Sequence, residues 1–288
     1  MDIEVKGHSG CEIEVVRQMD KLYLHKSTFD RKYIDRLLKQ ADKQREAGEL
    51  EYQHIRVPRI FDVESDALHA TIKMQYVYSK NFVEYFSQSG FEQIDYLIDA
   101  LKYFIEKELV QSPVQRVSSS VFVEKMADVR AKTLQKPEMA EDGEIVAILD
   151  KSMALFESLG DWEIPVGRCH GDLTFSNILF NGNNYYLIDF LDSYVETPLQ
   201  DIVKIRQDTA YGWSQLMYVG ACDKVRLRII FDKIDSEIDN YFTEHYDWYA
   251  RYYKPMQLMN LLRILPYAHE QRVIDYLKTI ISRLLNEI

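Results

Sequence analysis

The reading of this chain turns on His170-Gly171-Asp172-Leu173-Thr174-Phe175-Ser176-Asn177-Ile178-Leu179-Phe180 and, after a short turn, Tyr185-Tyr186-Leu187-Ile188-Asp189-Phe190. Two apolar runs, Ile178–Phe180 and Tyr185–Ile188, flank Asn181-Gly182-Asn183-Asn184. Asn and Gly tolerate the backbone angles of a tight turn, so the pattern predicts a β-hairpin. Closing that hairpin brings Asn177, at the entrance of one strand, beside Asp189, at the exit of the other. Asp172 stands five residues before Asn177. Asp172 and Asn177 are also common turn residues with no chemical duty. That plainer reading leaves unexplained why the apolar run Tyr185–Ile188 ends in an aspartate.

These residue types at this spacing suit phosphoryl transfer. An acceptor hydroxyl must be positioned and relieved of its proton, and anionic phosphates must be neutralised, usually by Mg²⁺ on oxygen ligands. Asp172 can accept a proton. Asn177 offers an amide oxygen and Asp189 a carboxylate to one metal.

His-Gly-Asp, then four residues and Asn, then Ile-Asp-Phe, resembles the aminoglycoside phosphotransferase and choline kinase family. The resemblance implies an α+β, protein-kinase-like bilobal fold, with Gly171 where protein kinases carry Arg. It implies Asp172 as catalytic base, Asn177 and Asp189 as Mg²⁺ ligands, and His170 in a structural role, bonding the backbone near Asp189. ATP or GTP would be the co-substrate. Asp192, Ser193, Pro198 and Asp201 continue the pattern. Asp201 is expected to cap a helix at its N-terminus and tie down the loop, and Asp192 to touch metal-bound water or substrate.

Working outward, Glu12–Val16 alternates as a half-buried strand does, and Leu22–Lys26 does so less cleanly. Residues 31–51 read as a charged helix with Ile34, Leu37, Leu38 and Ala41 on one face. Arg59–Val63 and Thr71–Tyr78 read as further strands. From Gln93 the period becomes helical, with Ile94, Leu97, Ile98, Leu101 and Ile105 in one stripe. Helical patterns recur over Val123–Thr133, Ile145–Leu159 and from Asp201 to the end. The expected division is therefore a strand-rich N-lobe over residues 1–80 and a helical C-lobe over 81–288.

A kinase-like N-lobe needs a cation on a strand to meet the phosphates. Lys26 is the candidate and Lys21 the alternative. A helix glutamate should orient that lysine: Glu46, with Glu49 and Glu51 competing. Gly7-His8-Ser9-Gly10 can offer backbone N–H groups to phosphate, although it departs from the fuller glycine pattern. By the resemblance, backbone groups of Gln75 and Val77 hold adenine. For the acceptor, Tyr211 and Trp213 can hold a quaternary ammonium by cation–π contact or stack on a sugar, or simply pack a core. Residues 246–253 are aromatic enough to raise the same choice.

The net charge of −11 argues against non-specific nucleic-acid binding, which needs a basic face. Cys11, Cys169 and Cys222 form neither a zinc spacing nor a disulfide framework. No basic, then apolar, leader opens the chain, and no apolar run approaches the roughly 20 residues of a membrane span. The expectation is a cytoplasmic small-molecule kinase acting on an amino-alcohol such as choline or ethanolamine, or on a sugar or polyol bound for a cell-surface polysaccharide. A kinase acting on a protein hydroxyl and a nucleotide-binding pseudokinase are the competing readings. Gly171 and the lack of an Ala-Pro-Glu segment count against the first; the presence of Asp172, Asn177 and Asp189 counts against the second.

Overall fold

The computed structural model describes residues 11–288. The expected phosphate turn at Gly7–Gly10 lies outside the described residues. The strands are β1 (Glu12–Gln18), β2 (Lys21–Thr28), β3 (Ile55–Arg56), β4 (Ile60–Ser65), β5 (Ala70–Gln75), β6 (Val114–Val117), β7 (Trp162–Pro165), β8 (Ile178–Asn181) and β9 (Asn184–Leu187). The helices are α1 (Arg31–Gly48), α2 (Phe82–Gln88), α3 (Phe91–Val110), α4 (Ser119–Leu134), α5 (Pro137–Ala140), α6 (Gly143–Ser158), α7 (Pro198–Thr209), α8 (Trp213–Met217), α9 (Lys224–His245), α10 (Asp247–Leu262) and α11 (Gln271–Glu287). Contacts divide the chain into two compact units. Of the described residues, one comprises 11–107, 170–193 and 222–227; the other comprises 108–169, 194–221 and 228–288. The first therefore takes in residues 81–107 and the 170–193 segment along with the N-terminal sheet, a division different from a cut at residue 80.

In the first unit an antiparallel sheet runs in the order β1-β2-β5-β4. Its opening hairpin turns on Met19 and Asp20, with φ of 46° and 61°. Positive φ at both central residues matches the right-handed twist of the flanking strands. Helix α1 starts at Asp30, whose side chain accepts from the Lys32 N–H, as an N-cap does. Ile34, Leu37 and Ala41 of α1 pack on Ala70, Ile72 and Met74 of β5. The predicted hairpin is present as β8–β9, paired from Ile178↔Leu187 to Asn181↔Asn184. Its turn has φ +56° at Gly182, and β3 adds to β9 in parallel. Behind it Phe82, Phe86, Phe175 and Phe180 form an aromatic core. Tyr85 stacks on Phe180 at 4.4 Å.

The second unit is helical around the short β6–β7 ladder. Trp162 of β7 lies between Phe122 and Tyr252, at 3.8 and 5.0 Å between ring centres. Arg206 of α7 is buried, bidentate on Asp235 at 2.9 Å and bonded to Asp239 and Tyr249. Taken singly, the units carry the expected α+β class: a small N-terminal β-sheet with one helix, and a helical C-terminal region.

Candidate active site

The first unit contains the whole of the loop–hairpin constellation. After Cys169 the chain turns at Gly171, where φ is +85°. A Cβ built there would stand 2.0 Å from the Leu191 carbonyl oxygen. Both the angle and the contact exclude a side chain, which gives a physical reason for Gly where a protein-kinase loop carries Arg. The neighbouring His170 is fully buried. Its backbone carbonyl accepts from the Leu191 N–H at 2.9 Å. The ring bonds at both nitrogens: Nδ1 accepts from the Asp172 N–H at 3.2 Å, and Nε2 donates to the Ile188 carbonyl at 2.9 Å. Those bonds fix the neutral tautomer with hydrogen on Nε2. Burial, opposed by the charge of Asp172, pushes the pKa down to about 4. The expected bond to the backbone beside Asp189 is therefore present.

The next turn, Phe175–Asn177, is 3-10 helical. It aims Asn177 back at Asp172. Nδ2 of Asn177 donates to Oδ2 of Asp172 at 2.9 Å and to its backbone carbonyl at 2.8 Å. The amide oxygen is thereby turned away from Asp172. The Asn177 carbonyl accepts from the Ile188 N–H at 3.1 Å, so the residue before Asp189 is tied to Asn177. Asp189 itself has φ +62°, a left-handed conformation that aspartate tolerates better than most residues.

Asp189 Oδ1 accepts from Lys26 Nζ at 2.6 Å. Lys26 is 4% exposed, and it lies on β2 directly opposite Ile72 of β5. Lys21, the alternative, is exposed at the hairpin end of the same strand. The expected glutamate partner is corrected by the structure. Glu46, Glu49 and Glu51 are all exposed, and the α1 side chain that meets Lys26 is Gln40, at 3.2 Å. Helical phase gives the reason: six residues on, Glu46 has rotated by about 240° from the position of Gln40.

Two further α1 residues reach the segment after Asp189. Lys43 Nζ donates to the Leu191 carbonyl at 2.6 Å, and Lys39 lies 3.6 Å from Asp192 at the surface. Sequence reasoning missed Lys39, Gln40 and Lys43. A signal existed for Gln40: it falls three residues after Leu37, on the buried face of an amphipathic helix, and it is itself buried.

The other expected positions divide between the two units. Gln75 ends β5, and its N–H donates to the Arg59 carbonyl at 2.8 Å. Val77 is buried in the segment that follows. Tyr211 and Trp213 are half-buried in the second unit. Arg283 lies over the Tyr211 ring at 5.5 Å, and Trp213 faces Tyr276 at 6.2 Å. Tyr249, Tyr252 and Tyr253 are core residues. Asp201 is buried but is not the cap of its helix. Thr197 caps α7 by accepting from the Leu199 N–H, with Pro198 in the first turn.

Residues 118–221, which include this loop and hairpin, match the model of the phosphotransferase enzyme family. The chain is a phosphotransferase. The resemblance drawn from His-Gly-Asp, Asn and Ile-Asp-Phe is thus borne out. Over its whole length the phosphotransferase is similar to a thermostable mutant of aminoglycoside phosphotransferase APH(4)-Ia, solved as a ternary complex with AMP-PNP and hygromycin B. The TM-score is 0.65 at 10% identity, covering 99% of this chain and 93% of that one. It is also similar to the amicoumacin kinase hAmiN, solved with AMP-PNP, Ca²⁺ and Ami, at TM-score 0.63 and 12% identity, covering 99% and 88%. At these identities the likeness is one of fold. No curated protein matches the phosphotransferase in sequence. Among its described residues no helix is long and apolar enough to cross a membrane.

Proposed function

We propose that this phosphotransferase moves the γ-phosphoryl group of ATP to a hydroxyl of a small molecule in the cytoplasm. One observation carries the reading: Lys26, Asp189, Asn177 and Asp172 form a single linked row. Lys26 bonds Asp189 at 2.6 Å, Asn177 bonds the Ile188 N–H next to it, and Asn177 bonds Asp172 at 2.9 Å. A phosphate-facing cation, two oxygen donors and a base thus follow one another in the order that a triphosphate, a metal and an acceptor need.

Each residue has a role in that row. Asp172 takes the proton of the acceptor hydroxyl. The acceptor oxygen forms a bond to the γ-phosphorus as the bond from that phosphorus to the β,γ-bridging oxygen breaks, and ADP leaves. Asn177 keeps Asp172 oriented through Nδ2 and turns its amide oxygen the other way. That oxygen and the Asp189 carboxylate suit Mg²⁺, which takes one or two protein oxygens and fills its shell with phosphate and water. Bound there, Mg²⁺ would neutralise charge on the phosphate oxygens. Lys26 meets the phosphates. Backbone groups of Gln75 and Val77 hold the adenine. His170, neutral and bonded on both sides, spaces Asp172 from the Ile188–Asp189 peptide.

The acceptor follows from the same family reading. It is a hydroxylated small molecule, with Asp192 the candidate contact beside the linked row. The two similar structures hold hygromycin B and Ami, so antibiotic acceptors join amino-alcohols, sugars and polyols as candidates. The test is ADP release with MgATP, and with MgGTP beside it, against choline, ethanolamine, simple sugars and polyols, hygromycin B and amicoumacin. At least one acceptor should raise ADP release above the acceptor-free rate, and Asp172→Asn should abolish that rise. Equal release with every acceptor and in the variant would reject the reading.

A further inference from the structure

Lys26 and Gln40 are almost fully buried, 4% and 5% exposed, and their side chains meet at 3.2 Å. Gln40 Nε2 donates to the Tyr33 hydroxyl at 3.4 Å, which fixes its Oε1 as the end that faces the lysine. Among the described residues the carboxylate on that ammonium is Asp189. A kinase lysine is ordinarily held by a helix glutamate, whose charge cancels its own. An amide oxygen does the same positioning without a charge.

The geometry points to Gln40 as a positioning residue for phosphoryl transfer, one that holds Lys26 in place while leaving its charge whole for the phosphate groups of the nucleotide. This rests on the proposed reading that Lys26 meets those phosphates. Without nucleotide, Lys26 and Asp189 neutralise each other. A glutamate at position 40 would make the cluster one unit more negative. A unit charge about 10 Å from a bound charge, at an effective dielectric of about 20, changes affinity on the order of tenfold. The sign is opposite for the two ligands: a nucleotide anion is repelled and a divalent cation is drawn in. General damage to the site would weaken both.

The experiment measures ADP binding in EDTA and Mn²⁺ binding without nucleotide, by calorimetry and by electron paramagnetic resonance. It compares the parent with Gln40→Glu and Gln40→Leu. Gln40→Glu should bind ADP on the order of tenfold more weakly and Mn²⁺ on the order of tenfold more tightly. Gln40→Leu removes the tether and adds no charge, so it should raise the KM for ATP several-fold and leave Mn²⁺ affinity unchanged. Shifts of the same sign, or no shift, in Gln40→Glu overturn the inference. If Gln40→Glu does not fold, Gln40→Leu decides: an unchanged KM overturns it. A parent that binds no ADP overturns the proposed function itself, and this inference with it. A parent that binds ADP leaves only the role of Gln40 at stake.

Discussion

The carbonyl oxygen of Leu191 lies 2.0 Å from where a side chain on Gly171 would begin. The loop before Asp172 and the chain after Asp189 thus close on each other through a position that only hydrogen fits. Gly171→Ala meets this contact and a φ of +85° together. Strain of that kind costs about 1–3 kcal/mol from the backbone angle alone. Urea midpoints should fall accordingly, and activity should fall with them. A variant as stable as the parent would show that the two backbones separate freely.

Asp172→Asn should leave the melting temperature nearly unchanged, because the amide keeps the shape and can still accept from Asn177 Nδ2. Turnover should drop by roughly 10²–10⁴-fold, the span of a general-base contribution. Asn is an excellent turn residue, so a mere turn role predicts a silent substitution. Steady-state rates and melting curves of the two proteins, taken together, separate the cases.

Asp189→Asn retains an oxygen acceptor for the buried Lys26 and removes the charge that faces a metal. Nucleotide binding should lose its dependence on Mg²⁺, as read by calorimetry with and without the ion. The fold should survive, which circular dichroism checks. Unchanged Mg²⁺ dependence would remove Asp189 from the metal site.

Burial pushes the pKa of His170 down to about 4 from an ordinary value of 6.5. Between those values the unfolded chain binds a proton that the folded chain refuses. The contribution is therefore complete above about pH 6.5 and is lost as pH falls toward 4, by about 3 kcal/mol. Paired urea titrations at pH 7 and pH 4.5 should show a smaller loss in His170→Asn than in the parent. Equal losses would mean that the imidazole is charged in the native protein.

The hairpin was legible because its signal is local: two apolar runs around Asn181–Asn184, with chemistry at both open ends. Strands β1, β2, β4 and β5 and helices α1 and α3 were legible for the same reason, through period-2 and period-3.6 patterns. What was not legible depends on phase or on distance along the chain. Glu46 looked suitable by residue type, but Gln40 occupies the helical phase that reaches Lys26. Asp201 looked like a cap, while Thr197 before Pro198 is the cap, a signal that was there to be read. The ladder between Val114–Val117 and Trp162–Pro165 joins segments with two longer helices between them, and neither strand reveals its partner. Helix α2 announces itself by a capping box, Asn81 with Glu84, that periodicity alone passes over.

The parallel pairing of Ile55 with Tyr185 has a consequence for how the protein is made. During synthesis the early part of the first unit emerges with its partner strand still untranslated. At roughly 5–20 residues per second, the ribosome needs on the order of ten seconds to deliver that strand. Throughout that interval Ile55, Phe82 and Phe86, all buried in the finished protein, have no hairpin to cover them. The nascent chain is then a client for chaperones, and slow codons between positions 56 and 185 should raise aggregation more than slow codons after 193.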